Sequence, residues 1–238
     1  MVTVVSGFNP NGYRTYGHEF LRTFDQFWPK DFKLVVYVEE KVPFAGRAEQ
    51  RLLSDIPGVM EFITRHQGTP AYCGNGDVGK YNFRFDAVKF CRQCFIPHHC
   101  SLDMKNDDVL VWMDADVVTF NKVPDNIVQI MLDGQELCYL GRPPKHSELG
   151  FWAIRLNDYP RAFLTRFADM YASDAVFQLK EWHSAFVFDY CRSLYPSVRQ
   201  RNVTPNGHGH VWFQSPLGKF SDHLKGKRKL AGRSPERR

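Results

Sequence analysis

Long hydrophobic runs are absent from this 238-residue sequence. No apolar stretch approaches the roughly 18 residues that a membrane-spanning helix needs. The N-terminal sequence MVTVVSGFNP also lacks the basic start and the longer apolar segment of a secretory signal. We therefore expect a soluble protein, without a membrane partner, that stays in the cytoplasm.

Internal repeats and low-complexity linkers are absent too, which argues against a solenoid and against several domains on a flexible string. With 238 residues and 43% hydrophobic composition, the chain can bury one sizeable core. We expect a single domain over residues 1–230, followed by a basic tail over residues 231–238.

Cysteine is too sparse and too scattered for a disulfide scaffold. The six cysteines are Cys73, Cys91, Cys94, Cys100, Cys138 and Cys191. Cys91, Cys94 and Cys100, together with His98 and His99, offer one alternative, a zinc site. Because Cys91 and Cys94 fall beside the apolar stripe of a predicted helix, we favour free thiols in the core.

Positive charge is concentrated at one end of the sequence. The net charge is +5, and residues 219–238 hold eight Lys or Arg against two acidic residues. Such a segment on an otherwise neutral chain indicates contact with a polyanion, such as a pyrophosphate or a nucleic-acid backbone. For residues 233–238 we expect a solvated, disordered tail.

Apolar periodicity predicts alternating strands and helices. Buried strands are expected at residues 2–8 and 33–40, with Tyr16, Phe20, Phe24 and Phe27 on one helical face between them. Later strands are predicted over 108–120, 138–142 and 150–156, and later helices over 45–53, 126–132 (capped by Asp125) and 159–171. A further helix is predicted before Pro97, with Phe83, Ala87, Phe90 and Cys94 on its apolar face. This order predicts an α/β fold with an open, mainly parallel, twisted sheet and helices on both faces.

Two carboxylates interrupt the most apolar of these strands. In VLVWMDADVVTF, Asp114 and Asp116 are separated by one alanine. Residues two apart on a strand point to the same side, and a buried carboxylate needs a positive partner. Carboxylate oxygens suit Mg²⁺ or Mn²⁺, which in turn bind nucleotide phosphates. Pairing with Lys or Arg at the sheet rim is the structural alternative.

Several motifs in the same order resemble the nucleotide-sugar glycosyltransferases of the GT-A fold, including the group related to glycogenin. The similar segments are the apolar strand ending in Asp-x-Asp (110–116), the strand SELGFWAIRL (147–156), the acidic helix start Glu181-Trp182-His183 and the cluster DHLKGKRK (222–229). The resemblance covers most of the chain in order of elements, with Asp-x-Asp and His223 as its more specific parts.

The resemblance implies a nucleotide-sugar-binding half over about residues 1–120 and an acceptor half over about 121–230. It implies that Asp114, Asp116 and His223 bind Mn²⁺ or Mg²⁺. Lys225, Gly226 and Lys227 would then contact the pyrophosphate of a nucleotide sugar, with UDP favoured. Glycine lets the backbone approach an anion, and the lysines neutralise it.

The donor's base and ribose are assigned to two further places. These are the loop after the first strand, with Ser6 and Gly7, and the predicted helix start with Arg84, Asp86 and Lys89. An alternative for Asp86 and Lys89 is an ion pair on a solvated helix face.

Three residues are candidates for the base that takes the acceptor proton, namely Glu181, His183 and Glu148. A helix-capping role for Glu181 is an equal alternative. Because the chain has Lys227-Arg228-Lys229 where the glycogenin group carries Lys-Pro-Trp, and Glu181-Trp182-His183 where that group has Asp-Gln-Asp, inversion and retention both stay open.

The acceptor hypothesis also comes from resemblance. The arrangement is similar to glycosyltransferases of tailed bacteriophages, some of which modify hydroxymethylated bases in DNA, so a host-cytoplasmic enzyme acting on DNA is the leading hypothesis. A glycan or a small molecule is the alternative acceptor.

Two other function classes compete with this hypothesis. Residues 74–80, GNGDVGK, fit the glycine spacing of a P-loop kinase or ATPase, but Tyr81 stands where a metal-binding Ser or Thr is needed. A mobile loop near the donor is the better interpretation. A non-catalytic nucleic-acid-binding module using the basic end, Trp212 and Phe213 has no DNA-reading motif to support it.

Overall fold

The computed structural model describes residues 1–76, 80–226 and 228–237 of the chain. The strands are β1 (Val2–Phe8), β2 (Lys33–Val38), β3 (Glu49–Leu52), β4 (Cys73–Asn75), β5 (Tyr81–Asp86), β6 (Val109–Met113), β7 (Val117–Thr119), β8 (Leu137–Arg142), β9 (Lys145–Arg155), β10 (Gln200–Asn202) and β11 (Ser221–His223). The helices are α1 (Pro10–Gly12), α2 (His18–Phe27), α3 (Val59–His66), α4 (Ala87–Phe90), α5 (Arg92–Leu102), α6 (Ile127–Leu132), α7 (Asp158–Ala172), α8 (Ser184–Ser193) and α9 (Arg228–Ala231). A π-helical turn, Tyr13–Gly17, joins α1 to α2.

The central sheet has seven strands in the order β10-β8-β9-β6-β1-β2-β3. The strand β9 runs antiparallel to both of its neighbours, β8 and β6, and the other neighbouring pairs are parallel. Two small ribbons, β7 with β11 and β4 with β5, are also antiparallel. The predicted α/β class with a mainly parallel sheet is confirmed.

Both faces of the sheet are covered. Adjacent residues on a strand point to opposite faces, so Val4 packs into one apolar cluster and Val5 into the other. Side chains of α2 and α6 belong to the first cluster, and those of α3, α5, α7 and α8 to the second. Within the described residues, no helix has both the length and the apolarity to cross a membrane.

The strand order reverses between β1 and β6. From β1 the sheet grows outward through β2 and β3, and the chain then returns to place β6 on the other side of β1. In open α/β sheets, ligands bind outside the carboxyl ends of the strands at such a reversal. The segment after Met113, at the end of β6, lies at this position.

The helix predicted over 45–53 is wrong. Residues 49–52 form β3, which pairs in parallel with β2 at the sheet edge, and a 3-10 turn over Leu53–Asp55 follows. The Gln50 side chain donates to Val42 O and accepts from Val42 N, which holds the connecting segment. Pairing with the exposed edge of β2 therefore overrides the local helical pattern.

The helix predicted from Phe83 onward begins four residues later in the structure. Phe83 lies on β5, and helical structure begins at Ala87, where the Asp86 side chain accepts from Lys89 N at 3.0 Å. Helix α5 then continues through Pro97 instead of ending before it. The helix predicted over 126–132 begins at Ile127, but it has no side-chain cap from Asp125.

The P-loop alternative does not agree with the local topology. Residues 77–79 of GNGDVGK lie outside the described residues, but the elements on either side are β4 and β5, which pair antiparallel. A P-loop connects a strand to a helix. The hairpin arrangement therefore argues against a P-loop enzyme.

The basic end of the chain packs onto the body. Ser234 is fully buried, and its N–H and hydroxyl both donate to the Asp222 carboxylate at 2.6 Å. The Arg237 guanidinium lies 3.9 Å from the centre of the Phe120 ring. This differs from the expected solvated tail, because a buried carboxylate on β11 needs the donors that Ser234 supplies.

Candidate metal and nucleotide site

The Asp114-Ala115-Asp116 turn lies at the carboxyl end of β6. We expected the strand to continue through both carboxylates, but β6 ends at Met113 and β7 begins at Val117. The Asp114 N–H donates to Gly150 O at 3.0 Å, which ties the turn to β9. The two carboxylates therefore converge because of the turn and not because of strand alternation.

His223 reaches these carboxylates from the far end of the chain. It lies opposite Val117 in the antiparallel β7–β11 ribbon, and Leu224 N donates to Asp116 O at 2.9 Å. Its Nε2 atom lies 3.0 Å from Asp116 Oδ1 and 3.5 Å from Asp114 Oδ2. One ligand atom from each of the three residues lies within 4.8 Å of the others.

This arrangement fits a divalent cation. Asp116 Oδ1 and both ring nitrogens of His223 are buried, and within the described part of the chain none of them has a hydrogen-bond partner of acceptable geometry. Buried polar atoms are normally satisfied, so unpaired ones that converge on one point indicate a missing partner. Two carboxylates and one imidazole are suitable ligands for Mn²⁺ or Mg²⁺.

Without the cation, these groups perturb each other strongly. Burial alone would lower the pKa of His223, but the carboxylates of Asp116, Asp114 and Glu148 raise it to about 10. Burial would raise the pKa of Asp116, but His223 and Lys229 hold it far below its usual range. The positive partner expected from the sequence is therefore present, and it is an imidazolium together with an ammonium.

Glu148 lies on the other side of the imidazole. Its carboxylate pairs with Lys225 Nζ at 2.6 Å and with Arg142 at 3.3 Å, and its Oε1 is 3.7 Å from His223 Nδ1. Burial opposes ionisation, but Lys225, His223 and Arg142 lower the pKa of Glu148 to about 2. Glu148 is therefore a buried counter-charge and a weak base.

Lys229 places an ammonium group at the carboxylates of the candidate metal site. Its Nζ lies 3.0 Å from Asp116 Oδ2 and 4.3 Å from the centre of the Tyr16 ring. Burial would lower the pKa of Lys229, but Asp116 raises it, so the amine stays protonated. A cation here can neutralise an anion bound next to the carboxylates.

Two donors fix the orientation of Asp114. Trp112 Nε1 and Gln93 Nε2 both donate to Asp114 Oδ1, at 2.9 and 3.0 Å. The amide oxygen of Gln93 accepts from the hydroxyl of Ser184, the first residue of α8. These bonds occupy Oδ1 and leave Oδ2 facing His223.

A cleft of about 790 Å³ opens in front of the Asp114 and Asp116 carboxylates. Its floor includes the ends of β1 and β6, with Gly7, Trp112 and Asp114. Aromatic side chains and basic residues line much of the rest: Phe8, Tyr16, Tyr37, Phe83, Lys89, Phe90, Lys225 and Lys229. The volume is that of a site for a small organic ligand.

A second polar cluster, of Glu181, His183 and His146, borders the cleft. Glu181 Oε2 lies 2.9 Å from His183 Nε2 and 3.4 Å from His146 Nε2. Burial lowers the pKa of His183. At Glu181, burial would raise the pKa, but the hydrogen bond from His183 and the nearby His146 outweigh it and lower the pKa. The cluster adjoins the cleft because Phe83 and Phe90, which line it, pack against the His183 ring.

Comparison with solved structures identifies the architecture. A glycosyltransferase involved in glycosylation of the major capsid of PBCV-1 aligns with a TM-score of 0.52 and 11% identity over 97% of this chain and 98% of that chain. Mouse xyloside xylosyltransferase 1 in its apo form aligns with a TM-score of 0.50 and 8% identity over 84% of each chain. The chain has a glycosyltransferase fold. The sequence matches no protein-family profile and no curated protein.

Within the glycosyltransferase fold, the predicted donor-binding residues separate into two groups. Gly7, Asp86, Lys89, Lys225 and Gly226 line the cleft. The others do not contribute to its described lining: Ser6 is fully buried in β1, Arg84 pairs with Glu181 at 3.5 Å, and Lys227 lies outside the described residues. Asp86 and Lys89 form a helix cap instead of the alternative ion pair.

The cysteines contribute to the core of the glycosyltransferase fold. Cys91, Cys94 and Cys100 are buried, and burial raises the pKa of Cys91 to about 12. His99 Nδ1 is engaged by the Tyr37 hydroxyl at 2.8 Å, and His98 lies 3.4 Å from Thr165. Within the described residues, neither group of potential metal ligands contains a cysteine.

Sequence reasoning missed the residues that surround the candidate metal ligands and the Glu181–His183 pair. The list comprises Tyr16, Gln93, Trp112, Arg142, His146 and Lys229. Trp112 and Lys229 lie inside the segments that had been singled out, and Trp112 shares the two-residue spacing of Asp114 and Asp116. Gln93, Arg142 and His146 come from distant segments, and nothing in their local sequence marks them.

Proposed function

We propose that the protein is a metal-dependent glycosyltransferase that moves a sugar from a nucleoside-diphosphate sugar to a hydroxyl acceptor. The observation that carries this proposal is the convergence of Asp114, Asp116 and His223, with both carboxylates lining the cleft. The position of the ligands at the strand-order reversal adds support, since nucleotides bind there in α/β sheets.

Asp114, Asp116 and His223 would hold Mn²⁺ or Mg²⁺, which when bound stabilises the charge of the departing diphosphate. Lys229 and Lys225 would add positive charge on the same side, and Gly226, with a φ of 58°, lets the backbone turn there. During transfer, the bond from the anomeric carbon to the diphosphate oxygen breaks and a bond to the acceptor oxygen forms. The nucleoside diphosphate leaves with the electron pair.

The acceptor proton needs a base if the reaction inverts the anomeric carbon. Of the three candidates, the Glu181–His183 pair is the better one, because its carboxylate is hydrogen-bonded to an imidazole whose lowered pKa keeps it neutral. Glu148 is less suitable, because Lys225 and Arg142 already neutralise it. We assign Glu148 the role of orienting Lys225 and His223.

For the donor we propose UDP, on the resemblance to the glycogenin group. The exposed ring of Phe83 and the partly exposed ring of Phe90 offer aromatic surfaces in the cleft for the nucleobase. For the acceptor we keep a hydroxymethylated base in phage DNA as the first hypothesis, supported by the basic charge of residues 219–238. A glycan or small-molecule hydroxyl is the second.

Calorimetric titration of UDP and of ADP, with and without Mn²⁺, tests the proposal. We expect UDP to bind only with Mn²⁺, and Asp116→Asn to weaken that binding at least tenfold by removing a charged ligand. The matched control is Asp125→Asn, which changes an exposed aspartate outside the cleft. It should bind UDP as the unmodified protein does.

The result that would contradict the proposal is equally specific. Tight ADP binding without a response to UDP would exclude a UDP-sugar donor. UDP binding that needs no metal and survives Asp116→Asn would exclude the assigned metal ligands.

A further inference from the structure

The cluster of His146, Glu181 and His183 has the composition of a metal site in its own right. One ligand atom from each of its three residues lies within 4.8 Å of the others. The residues come from two segments: His146 lies near the start of β9, and Glu181 and His183 lie in the segment that leads into α8. None of them belongs to the Asp114 group.

The distances agree with tetrahedral coordination. Ligands bound to zinc at 2.0–2.1 Å lie about 3.3 Å from each other in a tetrahedron. Glu181 Oε2 lies 2.9 Å from His183 Nε2 and 3.4 Å from His146 Nε2. Both distances are therefore within about half an ångström of the tetrahedral value.

The surroundings resemble those of a ligand shell. The second carboxylate oxygen of Glu181 lies 3.5 Å from Arg84, which would hold the carboxylate in place. Behind His146, the Asp189 carboxylate lies 3.9 Å from Nδ1 and is itself fixed by Ser147 Oγ at 2.6 Å. Carboxylates behind a ligating histidine orient its ring.

Aromatic rings cover one side of the cluster, and the other side is exposed to solvent. Phe83, Phe90 and Phe186 pack their rings against the two imidazoles, at 5.1 to 6.0 Å between centroids. The side chain of His146 keeps 35% of its surface exposed, whereas that of His183 keeps 5%. An ion held here would have three protein ligands and a coordination position facing solvent, as in open zinc sites.

We propose that His146, Glu181 and His183 form a second divalent-metal site, which takes Zn²⁺ or another imidazole-preferring ion such as Co²⁺. Two imidazoles and one carboxylate favour such ions, whereas the two carboxylates of the Asp114 site favour Mn²⁺ or Mg²⁺. The two sites would therefore select different metals by ligand type.

Metal binding here does not depend on the proposed sugar transfer. A functional consequence does rest on it: an ion that occupies His183 Nε2 and Glu181 Oε2 leaves no free base for the acceptor proton. Zn²⁺ would then inhibit an inverting transfer that Mn²⁺ supports.

Calorimetry with Zn²⁺ and visible absorption with Co²⁺, on metal-free full-length protein, test the second site. All proteins carry Cys73→Ser, because Cys73 is the cysteine with partial exposure. We compare this background with His146→Ala, with Asp116→Asn and with His208→Ala, which removes an exposed histidine outside the cluster.

We expect His146→Ala to bind one equivalent of Zn²⁺ fewer than the background and to lose the Co²⁺ absorption band of that equivalent. His208→Ala should keep both, and Asp116→Asn should keep the His146-dependent equivalent. Equal stoichiometry and equal Co²⁺ spectra in the background and His146→Ala would overturn the proposal. This comparison decides the matter even if Asp116→Asn fails to fold.

Discussion

At Gly150, a hydrogen atom in place of a side chain makes room for the His223 imidazole. A β-carbon built at Gly150 would overlap the imidazole ring at Cε1 and Nδ1. The His223 ring is fully buried between Asp116 and Glu148, which restricts its movement. The glycine of the SELG segment therefore supports the metal site directly, although it donates no ligand.

Gly150→Ala should displace the ring and weaken Mn²⁺ binding at least tenfold, with a loss of about 1–3 kcal/mol in unfolding free energy from overpacking. Metal titration and chemical denaturation measure the two effects. Gly68→Ala is the matched control, because a β-carbon there meets nothing within 4 Å. Unchanged Mn²⁺ affinity in Gly150→Ala would show that the ring is not a ligand.

The protonation state of His223 predicts a pH dependence of metal binding. Burial disfavours the imidazolium, but the neighbouring carboxylates raise its pKa to about 10, so the metal-free protein carries the proton at neutral pH. A metal ligand must be unprotonated, so Mn²⁺ must displace that proton. Below pH 10, apparent affinity should therefore rise with pH, by about tenfold per unit.

Calorimetry at pH 7 and pH 8, in buffers with different ionisation enthalpies, measures both quantities. The expected result is a rise in affinity with pH and release of about one proton per Mn²⁺ bound. Affinity that stays constant, with no proton released, would place His223 outside the coordination sphere.

At the scale of elements, Ser234 is one of the residues that attach the segment after β11 to the rest of the protein. Ser234 supplies two donors to Asp222, which is fully buried, and Lys229 lies between this attachment and β11. Ser234→Ala removes the hydroxyl donor and should cost about 1–3 kcal/mol, the usual penalty for a buried acceptor that loses its partner. It should also weaken UDP binding, because Lys229 becomes less well positioned.

Thermal denaturation and UDP titration check this prediction. Ser193→Ala is a suitable control, because its hydroxyl bonds within α8 to Tyr190 O on an exposed surface. A lower melting temperature with unchanged UDP affinity would show that the Ser234–Asp222 contact stabilises the fold but does not position Lys229 for diphosphate binding.

The sequence predicted the elements that have a strong internal pattern. Regular apolar spacing predicts strands over 2–8 and 108–120 and a helix over 159–171. The structure has strands Val2–Phe8 and Val109–Met113 and a helix Asp158–Ala172 there, so the second strand ends before the carboxylates. β3 and β5 were missed because each forms by pairing with another strand, β3 with β2 and β5 with β4. Edge pairing and hairpin pairing are tertiary effects that a local window does not contain.

The residues of the candidate site also divide into those that the sequence predicts and those that it does not. Asp114 and Asp116 were apparent because carboxylates are rare in such an apolar run, and His223 was identified through the resemblance. Gln93 and His146 were not predicted, since their roles arise only when α5, α8 and β9 come together.

At the scale of the whole molecule, the charge distribution tests the DNA hypothesis. Much of the basic charge near the site is already paired: Lys225 with Glu148, Lys229 with Asp116, and Arg228 with Glu236. Among the described residues near the site, few cations remain for phosphates, so we expect a moderate salt dependence. With about two phosphates neutralised, the KM for hydroxymethylated DNA should rise roughly tenfold between 50 and 200 mM salt.

Initial rates at several salt concentrations measure this effect. A neutral hydroxymethylated nucleoside is the control acceptor, and its KM should change little because it carries no phosphate. A KM for DNA that does not respond to salt would favour a glycan or small-molecule acceptor.

The order of the metal ligands along the chain has a consequence for biosynthesis. Asp114 and Asp116 leave the ribosome more than a hundred residues before His223, while β1, β2 and β6 can already pair. The nascent protein can therefore synthesise most residues of the candidate cleft early, but the proposed metal site is incomplete until His223 emerges. Chains that terminate before His223 would lack one of the three proposed metal ligands.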